Sequence, residues 1–210
     1  MLATILHRIH ALGGSTDQVT GVSLQSDLEA IVLKCPLYPK PEDTPWNSSS
    51  ETEPIYGLEE YLVTHRQLLE TDRAAFYRQL LDDYFEQITE DEPLAQSYLT
   101  ARLFTPFKAG SADFEEWNDI IDETAVKEVV KADRPDFMQL AWSYSYPDSY
   151  YISLSDKNPE NPKVFGTDHE AFFREIDEYG TMEDFLHSFF TKEELIIAIE
   201  KALEKNKEKK

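Results

Sequence analysis

The amino-acid sequence predicts an α+β fold in a single domain, a twisted mixed or antiparallel sheet backed by helices. Three observations carry this. Between Phe137 and Phe165 the chain passes through short runs rich in Tyr, Trp and Ile, parted by the turn formers Pro147-Asp148 and by the polar, proline-broken stretch Ser155 to Pro162. On both sides of that block apolar residues recur at helical spacing instead. The chain's 210 residues are enough to bury a core without staples.

In chain order, Leu2, Ile5, Leu6, Ile9 and Leu12 form one apolar helical face, stopped by Gly13-Gly14. Over 22–33 two readings compete: a short helix capped around Ser26-Asp27, or a strand at Ala30 to Leu33. Five prolines from Pro36 to Pro54 forbid a continuous helix and strip donors from any sheet. Trp46 would pin this loop, and the triplet Asn47-Ser48-Ser49 reads as a chance glycosylation pattern, with no secretory signal beside it. The organisation is thus a helical segment 1–34, a Pro/Ser-rich loop 35–56 and a main α+β domain 57–210, all in one globular unit.

Leu58, Tyr61, Leu62, His65, Leu68 and Leu69 keep the helical period, and Thr71-Asp72 caps a second helix carrying Phe76, Leu80, Tyr84 and Phe85. Leu94, Tyr98, Leu99 and Leu103 predict a further helix ending before Pro106. Ser111 opens an acidic helix over 113–123, which Val126, Val129 and Val130 either extend or follow as a strand. After the hairpin, Phe137–Tyr146 and Ser149–Leu154, comes a third strand at Lys163–Gly166. Thr181-Met182-Glu183-Asp184 caps a helix with Phe185, Leu186, Phe189 and Phe190 on one face. Thr191 to Glu194 has capping-box spacing ahead of a last helix bearing Leu195, Ile196, Ile199, Ala202 and Leu203. The helices over 57–122 and this last one are expected to cover the sheet.

Charge narrows the function. The chain has 41 acidic and 20 basic residues, a formal net charge of -21. Nucleic-acid backbones and anionic membranes repel such a field, and a basic protein partner is drawn to it. One cysteine, Cys35, precludes an internal disulfide and suits a reducing cytoplasm. No run is apolar enough to span a membrane.

The segment Tyr150-Tyr151-Ile152-Ser153-Leu154, then Asn161-Pro162-Lys163-Val164-Phe165, Asp168-His169, and the helix with Met182-Glu183-Asp184-Phe185-Leu186 resembles, in order and spacing, the SUKH superfamily of SMI1/KNR4-like proteins. The resemblance implies an α+β fold without a catalytic role. Bacterial members are immunity proteins that neutralise toxins, often nucleases, and others are scaffolds for regulatory partners.

Catalytic constellations are sparse. There is no Gly-Xaa-Ser-Xaa-Gly elbow and no phosphate-binding glycine loop, so no cofactor is expected. Cys35 lacks a local His and reads as an incidental thiol, and His65 as a core or boundary residue. Asp168-His169 offers two metal ligands where zinc needs three or four, so no metal is expected. The rival enzyme reading is a small hydrolase built on Asp168 and His169. The expected partner surface joins two parts. In the acidic helix, Glu115, Glu116, Asp119, Asp122 and Glu123 face outward over Phe114, Trp117, Ile120 and Ile121, with 115, 119, 122 and 123 on one side. In the hairpin, Tyr144 and Tyr146 share a face beside Asp148 and Tyr150, where display to a partner competes with burial in the core.

Overall fold

The structure, a computed structural model, describes residues 1–41, 55–86, 97–144 and 147–208. In chain order its elements are α1 (Ala3–Ala11), α2 (Leu24–Glu29), α3 (Leu58–Thr64), α4 (Arg66–Thr71), α5 (Arg73–Leu81) and a π-helical turn at Asp82–Glu86. β1 (Ser97–Phe104), α6 (Ala112–Trp117), α7 (Glu123–Val129), β2 (Phe137–Ser143) and β3 (Ser149–Ser153) follow. The chain goes on through β4 (Lys163–Thr167), β5 (Asp177–Thr181), α8 (Met182–His187) and α9 (Lys192–Glu208). The fold class is α+β, as expected. Trp46 and the Asn47 triplet lie outside the described residues.

Two compact units interleave along the sequence. One comprises Met1–Lys34 and Tyr98–His187, the other Cys35–Ser97 and Ser188–Lys210.

In the first unit the strands follow one another in space as in sequence, β1-β2-β3-β4-β5. Pairing is antiparallel, with Met138 opposite Ile152, Tyr151 opposite Phe165 and Gly166 opposite Asp177. Alternation along a strand sends successive side chains to opposite faces. Tyr151, Phe137, Phe165 and Phe104 point to one face and pack with Phe172 and Phe173 and with Ile121, Val126 and Val130 from around α6 and α7. Tyr150 points to the other face, its ring 5.2 Å from Tyr179 and 4.7 Å from Phe185 of α8. α1 packs against α8, and its buried Arg8 donates from Nε to the Leu186 carbonyl at 3.3 Å. Each aromatic pair adds about 0.5–1.5 kcal/mol beyond the apolar area it buries.

The second unit has its own core. Leu58, Leu62, Leu69, Phe76, Leu80 and Phe85 pack with Leu195 and Ile199 of α9. The helices over 57–86 and α9 bury their apolar faces in one another. The described part of the proline-rich stretch is paired, not bare loop: Leu37 exchanges two backbone bonds with Ser97, at 2.6 and 3.0 Å, and Tyr38 accepts from the Phe190 amide at 2.8 Å.

Three further corrections follow. Where a helix is expected over 94–107, residues Ser97–Phe104 form strand β1. Its apolar residues fit a helical spacing, but Tyr98, Thr100, Arg102 and Phe104 also alternate, and the sheet's pairing decides. The acidic helix 113–123 is two short helices. α6 stops at Trp117, and the Asp122 side chain caps α7 by accepting from the Thr124 and Ala125 amides. α8 ends at His187, so Phe189 and Phe190 do not continue its face.

Candidate functional site

Asp113 fixes the start of α6. Its carboxylate is buried, accepts from Arg102 Nη2 at 2.7 Å and from the Thr105 amide at 2.8 Å, and ties the helix to the end of β1. Ser111 caps the helix through the Phe114 amide at 3.0 Å. Trp117 closes the inner side, 4.3 Å from Phe172. The outer side then carries Glu115 and Glu116, and Asp119 stands on the following turn, all exposed. The single outer face of four carboxylates does not form, because the chain turns at Asn118–Asp122. Asp122 is spent on its cap, Glu123 pairs with Arg134 at 3.7 Å, and Ile120, expected inward, is exposed.

The hairpin residues separate as well. Tyr144 is 40% exposed, its ring edge-on to Trp142 at 4.9 Å and to Tyr98 at 6.4 Å. Tyr150 is a core residue, 9% exposed, and burial pushes its hydroxyl up to about 12. It therefore leaves the expected partner surface. Tyr146 lies outside the described residues. Asp148 is engaged at the turn, where its carboxylate accepts from the His169 amide at 2.7 Å and from His169 Nδ1. That pairing raises the pKa of the exposed imidazole, first through the hydrogen bond and then through the charge of Asp148.

The aromatic and acidic residues are attached to different parts of β1. Tyr144 touches Tyr98 at the start of β1, whereas α6 is tied to Arg102 and Thr105 at its end. Four residues of strand at about 3.3 Å each set Arg102 about 13 Å from Tyr98 along β1.

The Asp168 carboxylate is engaged by the backbone of its own turn. Its Oδ1 accepts from the Glu170 and Ala171 amides at 2.8 and 2.7 Å, shaping the turn. Among the described residues no group of three His, Cys, Asp or Glu side chains is placed to hold a metal ion. No described helix is long and apolar enough to cross a membrane. The Asp148–His169 contact is invisible to local pattern reading, since the residues lie 21 apart. Only the register that sets Ser149 opposite Thr167 brings them together. Comparisons of the chain with models of known families, with curated proteins and with solved structures find no match.

Proposed function

We propose that this chain is a non-enzymatic protein-binding module that acts stoichiometrically on a basic protein, as an immunity-type protein neutralising a toxin such as a basic nuclease in a bacterial cytoplasm. The observation that carries the reading is the exposed carboxylate group of Glu115 and Glu116 on α6 and Asp119 on the turn after it, with the inner side of the helix locked through Asp113 and Trp117. The net charge of -21 gives that surface a long-range attraction for a cationic partner, and such encounters are fast and salt-sensitive. The likeness of Tyr150–Leu154, Asn161–Phe165 and Met182–Leu186 to the SUKH superfamily supports the same reading. A regulatory scaffold of that family would use the same surface without rescuing cells from a toxin.

The test uses the product of the neighbouring reading frame, expressed in an inactive form. Changing Glu115, Glu116 and Asp119 together to Lys should slow its association at least tenfold in low salt and flatten the salt dependence. The native chain should also restore growth to cells expressing the active neighbour. Unchanged association kinetics in a folded variant would refute this surface, and binding without growth rescue would favour the scaffold.

A further inference from the structure

The outward side of the chain at 55–63, in the second unit, carries a feature that the reading above leaves unused. Ile55 and Leu58 are both fully buried and pin the chain on either side of Tyr56-Gly57. Gly57 takes φ +72°, a conformation that costs glycine little and L side chains more. Tyr56 is left 56% exposed, while its carbonyl accepts the Tyr84 hydroxyl at 3.3 Å. α3 then buries Leu58 and Leu62 and leaves Glu59, Glu60 and Val63 outward, Val63 at 70% exposure.

Glu59, Glu60 and Val63 project from the first two turns of α3, and Tyr56 stands just before the helix, beyond the left-handed Gly57. With Gly57 they line an open hollow of about 470 Å³. A solitary exposed apolar side chain is ordinary. Here two large ones rim the same hollow, with two carboxylates between them.

We propose that this hollow receives an arginine side chain of a basic protein partner. A guanidinium is flat and weakly hydrated, so it stacks on a tyrosine ring while its N–H groups meet carboxylates. Its aliphatic stem would lie along Val63. Lysine offers a compact, strongly hydrated charge and fits this mixed lining less well. The proposal rests on the protein-binding reading and adds to it a contact distinct from the Glu115 surface.

The experiment titrates isotope-labelled protein with penta-arginine, penta-lysine and penta-citrulline peptides, following backbone amide resonances. Penta-arginine is expected to shift the amides from Tyr56 to Val63. Penta-citrulline, which keeps the shape and loses the charge, should leave them in place, and penta-lysine should bind several-fold more weakly. Tyr56→Ala, and Glu59→Gln with Glu60→Gln, should each weaken the arginine response at least tenfold, with the rest of the spectrum unchanged. Shifts confined to other regions, an equal response to lysine or citrulline, or unaffected binding by the variants would each overturn the assignment. If these fail while the Glu115, Glu116 and Asp119 variant still loses its partner, the hollow is wrong and the proposed function stands. If only that variant is without effect, the reverse holds.

Discussion

Arg102 of β1 donates to Oδ1 of Asp113 at 2.7 Å, while Oδ2 of the same carboxylate accepts the Thr105 amide at 2.8 Å. The two halves of this contact differ in weight. The guanidinium is largely exposed, and a screened pair of that kind contributes about 0–1 kcal/mol. The Thr105 amide is buried, and leaving it without an acceptor costs about 1–3 kcal/mol. Asp113→Ala is therefore expected to lose about 2–3 kcal/mol in urea denaturation and Arg102→Ala under about 1 kcal/mol. Equal losses would show that the exposed pair, not the buried cap, holds α6 in place.

His169 should titrate above the ordinary histidine value of about 6.5. Because Asp148 favours the protonated ring, its stabilisation is complete below that ordinary value and is lost as pH rises through the raised one. A proton NMR titration of the ring should move back toward the ordinary value in Asp148→Asn. An identical midpoint in the two proteins would show that the contact does not persist in solution.

Gly166 is required by space. A Cβ there would lie 2.5 Å from Tyr179 Cε2 and 2.6 Å from Pro147 Cγ. Both neighbours belong to packed rings, so Gly166→Ala should cost about 1–3 kcal/mol through displaced packing. A neutral result in thermal unfolding would mean that β5 and the hairpin turn stand farther from β4.

Two non-glycine residues with nearly the same left-handed backbone should answer oppositely to losing their side chains. Lys131 follows the cap of α7 at φ 60°, and Lys131→Gly should gain about 0.5–1 kcal/mol, backbone relief offset by glycine's extra unfolded freedom. Phe173, at φ 53°, fills the aromatic core, and Phe173→Gly should lose about 3–5 kcal/mol despite the same relief. Matched denaturation curves test the contrast in sign.

What the sequence discloses depends on how far apart the deciding residues lie. The β2–β3 hairpin and β4 are legible because aromatic runs and turn formers sit side by side. The capping box before α9 is equally local: Thr191 Oγ1 accepts the Glu194 amide at 3.1 Å, and Glu194 Oε2 accepts the Thr191 amide at 2.9 Å. β1 is ambiguous, since its apolar residues satisfy both periods until β2 is known to lie beside it. β5, Asp177-Glu178-Tyr179-Gly180-Thr181, has no assignment in the sequence analysis because it lacks an apolar run, and Lys163 Nζ reaches Glu178 from β4 at 2.6 Å. The acidic residues at 115–123 are legible as charges, but not as a surface, because the turn at Asn118–Asp122 redirects half of them.

The interleaving of the two units has a consequence for synthesis on the ribosome. The chain leaves the first unit at Lys34, returns at Tyr98 and leaves it again after His187. Leu195 and Ile199 belong to the same core as Leu58, Phe76 and Leu80. The middle helices therefore emerge with their apolar faces uncovered and must wait for well over a hundred further residues, through translation of the whole sheet, before α9 can seal them. At about 5–20 residues per second this exposure lasts many seconds, long enough for chaperone capture or aggregation to compete with folding.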